Sequence, residues 1–175
     1  MMSNKIWMSA LGIVAVVVIG VCGYLYYNGI VPRYNYETVA PELPAFKRPT
    51  VLVFNKTNGF IHREGLPAAD VMLKGLADQL GWDVFITNNA AIHNAEDLKR
   101  FEMVVWNNTS GDVLTIEQRG DFKNWLEQGG GWVGLHAAGG DPSYKWDWYV
   151  DELIGAQFIG HTMEPQFQDA DVYKA

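Results

Sequence analysis

Cysteine is all but missing from this chain of 175 residues: Cys22 is its only one, and it lies inside an apolar block near the N-terminus. A lone thiol there excludes an internal disulfide and leaves the rest of the chain without a sulfur nucleophile. Cations are also scarce. Lys and Arg number 13 against 20 Asp and Glu, for a formal net charge of -7. No basic stripe appears, which argues against nucleic acid as a partner, because phosphate binding needs clustered Lys and Arg. Proline is sparse at 7 residues, yet Pro32, Pro41, Pro44 and Pro49 crowd one short stretch. No internal repeat or low-complexity tract is present.

One segment lacks charge altogether. From Ile6 to Tyr27 there is no ionisable acid or base beyond Cys22 and the tyrosines, and about 20 apolar residues suffice for a helix to cross a hydrocarbon layer of about 30 Å. Trp7 stands at one end and Tyr24, Tyr26 and Tyr27 at the other, where amphipathic rings settle at the two interfaces. The run is longer than the apolar core of a cleaved signal, and no small-x-small site follows it. Val21 before Cys22 does not suit a lipoprotein site. Residues 1–5 therefore read as a short tail, 6–27 as a transmembrane anchor, and 28–49, with its prolines, as a stiff linker. Lys5 and the free amine ahead of a long apolar helix have the form of a signal-anchor, which puts the globular part on the periplasmic or extracellular side.

Beyond residue 49 the pattern alternates between strand and helix. Val51-Leu52-Val53-Phe54 is a short continuous apolar run, as in a strand covered on both faces. Leu66 to Leu80 carries Ala69, Val71, Met72, Leu73, Leu76 and Leu80 at largely helical spacing, with Pro67 in the first turn and Gly81 just past the end. Trp82 to Ile86 gives a second strand, Glu96 to Arg100 a short helix, and Met103 to Trp106 a third strand. Thr115 and Gln118 form a capping-box pair for a helix running to Gln128, which Gly129 ends. Trp132 to Leu135 is the fourth strand. Strands separated by helices require parallel crossovers, so the expected fold is α/β, an open doubly wound, mostly parallel sheet preceded by one transmembrane helix.

The fourth strand runs into Gly134-Leu135-His136-Ala137-Ala138-Gly139-Gly140. Small residues crowd His136 because a tight bend and a close approach exclude large side chains. Such an elbow holds a reactive side chain at the carboxyl edge of a parallel sheet, where ligands of open α/β folds bind. Three segments, Val51 to His62, Val104 to Leu114 and Gly129 to Ala138, agree in order with the trehalose-utilisation ThuA-like domain. Trp146-x-Trp148-Tyr149 and Gly160-His161 extend the resemblance from about Thr50 to the end of the chain, over 50–175. The resemblance implies a class I glutamine-amidotransferase-like, flavodoxin-related fold and a role with trehalose or related, often 3-keto, sugars. Members of the family continue for several more elements, so 50–175 reads as an incomplete domain. True glutamine amidotransferases place a Cys nucleophile at the elbow. His136 there cannot form their thioester, so glutaminase activity is not expected.

His136 is the candidate catalytic residue. If His62 and His161 converge on it, the three imidazoles can hold a divalent metal such as zinc, with Glu164 adding a carboxylate. The simpler alternative leaves only His136 in a hydrogen bond, with His62 capping a helix and His161 on a surface loop. His93, close to Asn94 and Glu96, reads as a solvated loop residue. Lys56 and Thr57 after the first strand, and Asn107, Asn108 and Thr109 after the third, carry donors and acceptors suited to sugar hydroxyls, and are equally good turn formers. Trp146 and Trp148, with Tyr144 and Tyr149, can stack on a sugar ring or fill the core. Asp112 and Asp141 are either bases or caps. Two classes of function follow: an enzyme acting on a carbohydrate, and a membrane-tethered sugar-binding or accessory domain without turnover.

Overall fold

The computed structural model describes residues 3–140, 144–162, 164, 169, 171 and 173. Helix α1 (Ser3–Tyr27) precedes strand β1 (Thr50–Phe54), helix α2 (Gly65–Leu80), strand β2 (Asp83–Thr87), the short helix α3 (Ala95–Leu98), strand β3 (Met103–Asn107), helix α4 (Ile116–Glu127) and strand β4 (Gly131–Leu135). The four strands form a parallel sheet in the order β2-β1-β3-β4. Within Met8–Tyr27, α1 is long and apolar enough to cross a membrane, and none of that stretch is buried against the rest of the chain.

Side-chain alternation along the central strands explains why helices cover both faces of the sheet. Leu52 and Phe54 of β1 and Val104 and Trp106 of β3 point to one face, where they join Phe122 of α4 in the larger core cluster. Val51, Val53 and Val105 point to the other face and meet Ala77 and Leu73 of α2. Trp106 is fully buried, with its ring centroid 5.2 Å from both Phe122 and Tyr149. Each such aromatic pair contributes about 0.5–1.5 kcal/mol beyond its buried area. At the start of α4 the expected capping box forms in both directions between Thr115 and Gln118. Gly81 ends α2 in the left-handed conformation, with φ 70°.

Three expectations change. His93 is not a solvated loop residue: it is wholly buried, its Nδ1 lies 3.2 Å from the Ala90 carbonyl, and its Nε2 accepts the Trp106 indole N–H at 3.1 Å. Sequence context misled here because the polar neighbours Asn94 and Glu96 belong to the cap of α3, whereas Ala90, Ala91 and Ile92 turn inward as a 3-10 turn. The apolar positions of α2 do not all face the sheet either. Leu73 packs inward, but Val71, Met72, Leu76 and Leu80 remain exposed, since apolar residues run round more of this helix than the sheet covers.

The third change concerns residues 28–49, which lie along the domain as a docked arm instead of standing off it. Phe46 packs on Phe101 and Phe85, at ring-centroid distances of 5.6 and 6.3 Å. Arg100 donates to the Pro44 carbonyl, and Asp83 accepts the Lys47 and Arg48 backbone N–H groups together with the Arg48 guanidinium. Those donors hold the Asp83 carboxyl below its ordinary value. Glu37 reaches furthest in, pairing with the buried Lys56 at 2.5 Å and accepting the Ala90 N–H at 2.9 Å. Burial disfavours the Glu37 charge, but hydrogen bonds from Lys56 and Ala90 and the lysine's charge prevail, so its carboxyl stays below the ordinary range.

The loops leaving β1 and β3 touch through a parallel bridge between Thr57 and Ser110. Gly111, with φ 72°, allows this contact: a Cβ there would sit 2.4 Å from the Gly59 backbone nitrogen. Gly111→Ala combines a left-handed backbone, which costs an L-residue about 1–2 kcal/mol, with a clash against main chain that cannot swing aside. The expected result is a loss of about 3 kcal/mol or more, read as a lowered midpoint in denaturant. An unchanged midpoint would mean that the two loops separate without cost.

Candidate functional site

The carboxyl ends of β3 and β4 are adjacent, and each continues into a residue that L-amino acids seldom allow. Asn108 and His136 both have φ 51°, and among the described residues they are the only non-glycine positions with positive φ. A left-handed residue turns its side chain away from the strand direction, and strain of this sort gathers at functional sites. Behind His136 a 3-10 turn covers His136–Gly139. It is held by the Tyr149 hydroxyl, which donates to the Ala138 carbonyl. Gly134, just before the elbow, lies under the Trp132 ring, with room for no Cβ.

From His136 a directed chain of hydrogen bonds runs inward. Its far end fixes every orientation. The Leu66 carbonyl, which can only accept, takes the Asn107 amide N–H at 3.0 Å, and Asp70 accepts the same amide group at 3.0 Å. The Asn107 carbonyl oxygen must then face Asn108, whose amide donates to it at 2.7 Å. This leaves the Asn108 Oδ1 pointing at the His136 Nδ1, 3.0 Å away, so Nδ1 is the donor of this bond and, in the neutral ring, Nε2 holds the lone pair. Asn55 anchors Asp70 from the other side, donating to both carboxylate oxygens at 2.8 and 2.9 Å. Asn107 is fully buried and Asn108 nearly so, whereas His136 is exposed. A buried polar relay ending on an exposed imidazole is how proteins fix the tautomer and ring direction of a working histidine.

His62 stands beside it. Its ring centroid is 4.2 Å from that of His136 in an edge-on arrangement, and the Phe60 ring lies 4.9 Å from that of His62. The loop between β1 and α2 brings His62 there, and a Cβ on Gly65 at the start of α2 would lie 3.6 Å from the Asn108 amide and 3.7 Å from the His62 Cβ.

The remaining candidates divide by location. His161 is exposed on the stretch after Phe158, with its Nδ1 2.9 Å from the Thr162 carbonyl, and does not join the pair. Among the described residues no group of three His, Cys, Asp or Glu side chains gathers as a metal site, so the expected His62, His136 and His161 triad is not assembled. Glu164 is exposed, and Asp141 lies outside the described residues. Lys56 is buried, with its ammonium paired to Glu37. Thr57 makes the backbone bridge to Ser110, and the buried Thr109 hydroxyl donates to the Phe54 carbonyl. Asp112 is tied to Arg119 at 2.5 Å. Trp146 and Trp148 are half-buried against the α4 side: Trp146 contacts Phe122 and Tyr149, and Arg119 and Lys123 lie over the Trp146 and Trp148 rings. They pack against the larger core cluster. Sequence reading missed Asp70 and Asn55; the available signal was an acid set between Ala69 and Val71 in the mostly apolar first half of α2.

Comparison with known proteins gives the family. The family model described as trehalose utilisation, ThuA, matches residues 50–174. A solved structure of a ThuA-like protein from Bacteroides uniformis ATCC 8492 is similar at 30% identity and a TM-score of 0.50, covering 67% of this chain and 48% of that one. The chain thus spans about half the length of that relative. No curated protein matches it. With the matched region running from β1 past the His136 elbow, the chain belongs to the ThuA family of trehalose utilisation.

Proposed function

We propose that this protein is a membrane-anchored ThuA-type domain that binds a carbohydrate at the His62–His136 pair, with His136 Nε2 as the base that accepts a proton from a sugar hydroxyl or carbon acid. The observation that carries this reading is the relay from His136 through Asn108 and Asn107 to Asp70, which holds Nδ1 as donor and so makes Nε2 the acceptor of the neutral, exposed ring. Asn107 and Asn108 act as positioning residues, since their amides are spent on the relay. His62 flanks the base and supplies a second imidazole to a ligand oxygen. Trehalose-type and 3-keto sugars are the substrate class the family suggests. An imidazole at the elbow offers no thiol for glutaminase chemistry.

The test is titration of a panel of disaccharides and their 3-keto derivatives against the full chain in detergent micelles, followed by product analysis. His136→Ala is expected to weaken binding by about tenfold or more, about 1.4 kcal/mol, and to abolish any turnover. Asn108→Ala is expected to lower turnover more than binding, because it frees the ring to change tautomer. A sugar bound but returned unchanged assigns the accessory, non-catalytic role. Binding that survives His136→Ala intact would remove the site.

A further inference from the structure

Helix α1 is fastened to the loop that carries His62. Its last turn has no basic residue of its own, yet its final carbonyls are capped from elsewhere in the chain. Arg33 donates to the Tyr26 and Tyr27 carbonyls at 2.5 and 3.3 Å, and Arg63 donates to the Tyr27 carbonyl at 2.6 Å. Both guanidiniums also lie over rings of that turn, Arg33 over Tyr26 at 4.9 Å and Arg63 over Tyr27 at 3.8 Å. The main chains meet as well. Ile61 N–H donates to the Asn28 carbonyl at 3.2 Å, and Arg33 N–H to the Asn58 carbonyl at 2.6 Å. A Cβ on Gly29 would lie 1.8 Å from the Gly59 oxygen. The end of the apolar helix and the 58–63 loop are thus one joined surface.

That surface is unusual in composition. Ile30, Val31 and Phe60 are about half exposed, and Tyr24, Tyr26 and Tyr27 are more than half exposed. In a chain of net charge -7, Arg33 and Arg63 stand beside these residues, with Glu64 as the acid next in sequence. Tyrosines and arginines round a small apolar patch, continuous with the end of a helix able to span a bilayer, match the chemistry of a headgroup layer. We propose that the Ile30, Val31 and Phe60 surface lies in the headgroup layer of the membrane that holds α1, so that the His62–His136 pair opens at the bilayer surface. This rests on the anchoring and site readings above. His62 is the residue before Arg63, and its ring touches both Phe60 and His136, so a ligand reaching the pair passes along lipid headgroups.

Depth measurements on the full chain test the idea without reference to activity. In a Cys22→Ala background, a bimane probe is attached in turn at Val16→Cys, Phe60→Cys and Glu102→Cys, and the protein is placed in vesicles of phosphatidylcholine with a minority of phosphatidylglycerol. Val16 reports the span, Phe60 the proposed surface, and Glu102 the opposite, amino edge of the sheet. Nitroxide lipids are expected to quench the Phe60 probe at least about threefold more than the Glu102 probe, as for a group seated about 5–10 Å into the interface. A quenched Val16 with Phe60 no deeper than Glu102 would overturn this proposal while leaving the anchor and the sugar site intact. A water-exposed Val16 would overturn the anchor and this proposal together, with carbohydrate titration in micelles still reporting on His136 independently.

Discussion

Glu37→Ala is expected to cost about 3–4 kcal/mol of folding stability, in the range seen when one partner of a buried ion pair is removed. The lysine is the reason. Lys56 keeps only 6% of its side chain in solvent, and its ammonium donates to both oxygens of the Glu37 carboxylate. Without that carboxylate its ammonium is a buried charge with no counter-ion, and the Ala90 N–H loses its acceptor as well. Glu37 is 27% exposed, which keeps the estimate below the top of the range. The variant Glu37→Ala with Lys56→Met is expected to recover about half or more of the loss, because a neutral chain of similar volume no longer needs the pair. Chemical denaturation followed by tryptophan fluorescence measures both. A single variant as stable as the natural chain would show that the 28–49 arm detaches freely and contributes nothing to the domain.

Mild acid is expected to destabilise the protein through His93. Burial pushes its imidazole down to about 3 from an ordinary 6.5, against a smaller opposing influence from the Ala90 carbonyl. Between those two values the unfolded chain binds the proton and the folded chain does not. The neutral ring's contribution is therefore complete above pH 6.5 and declines as pH falls. One pKa unit corresponds to about 1.4 kcal/mol, so lowering the pH from 7 to 5 removes about 2 kcal/mol through this residue alone. The depressed carboxyl of Glu37 acts lower on the scale: its contribution is present above its ordinary 4.5 and is lost only below that. The interval from 7 to 5 therefore isolates His93 from it. His93→Gln keeps an acceptor for the Trp106 N–H and a donor for the Ala90 carbonyl, and is expected to flatten the dependence while costing about 1–2 kcal/mol at pH 7. An equal slope in both proteins would place the titration elsewhere.

Local rules gave much of the fold directly. The strand at Val51–Phe54, the α4 capping box and the glycine stop after α2 each depend on neighbours within four residues, and each appears where side-chain chemistry puts it. The elbow at His136 was legible for the same reason, since a run of Gly and Ala around one large polar residue has few other uses. Asp70 was not legible. Its role depends on Asn55 and Asn107, which are 15 and 37 residues away and meet it only because β1 and β3 are neighbours with α2 crossing above them. Lys56 shows the reverse case: a polar residue at a strand end has the address of a ligand contact, and only the path of the arm gave it to Glu37.

By itself, then, the sequence determined what short range can determine: the apolar length of α1, the alternation of strand and helix, the parallel sheet that follows from it, and an imidazole at the bend after the last strand. Tertiary structure alone decided partnership. It buried His93 on Trp106, paired His62 with His136 while leaving His161 apart, and joined the end of α1 to the loop carrying His62. The physical reason is range. Propensity, capping and periodicity act over one or two turns of chain, whereas a buried hydrogen bond or ion pair is fixed by whichever strand the fold brings alongside.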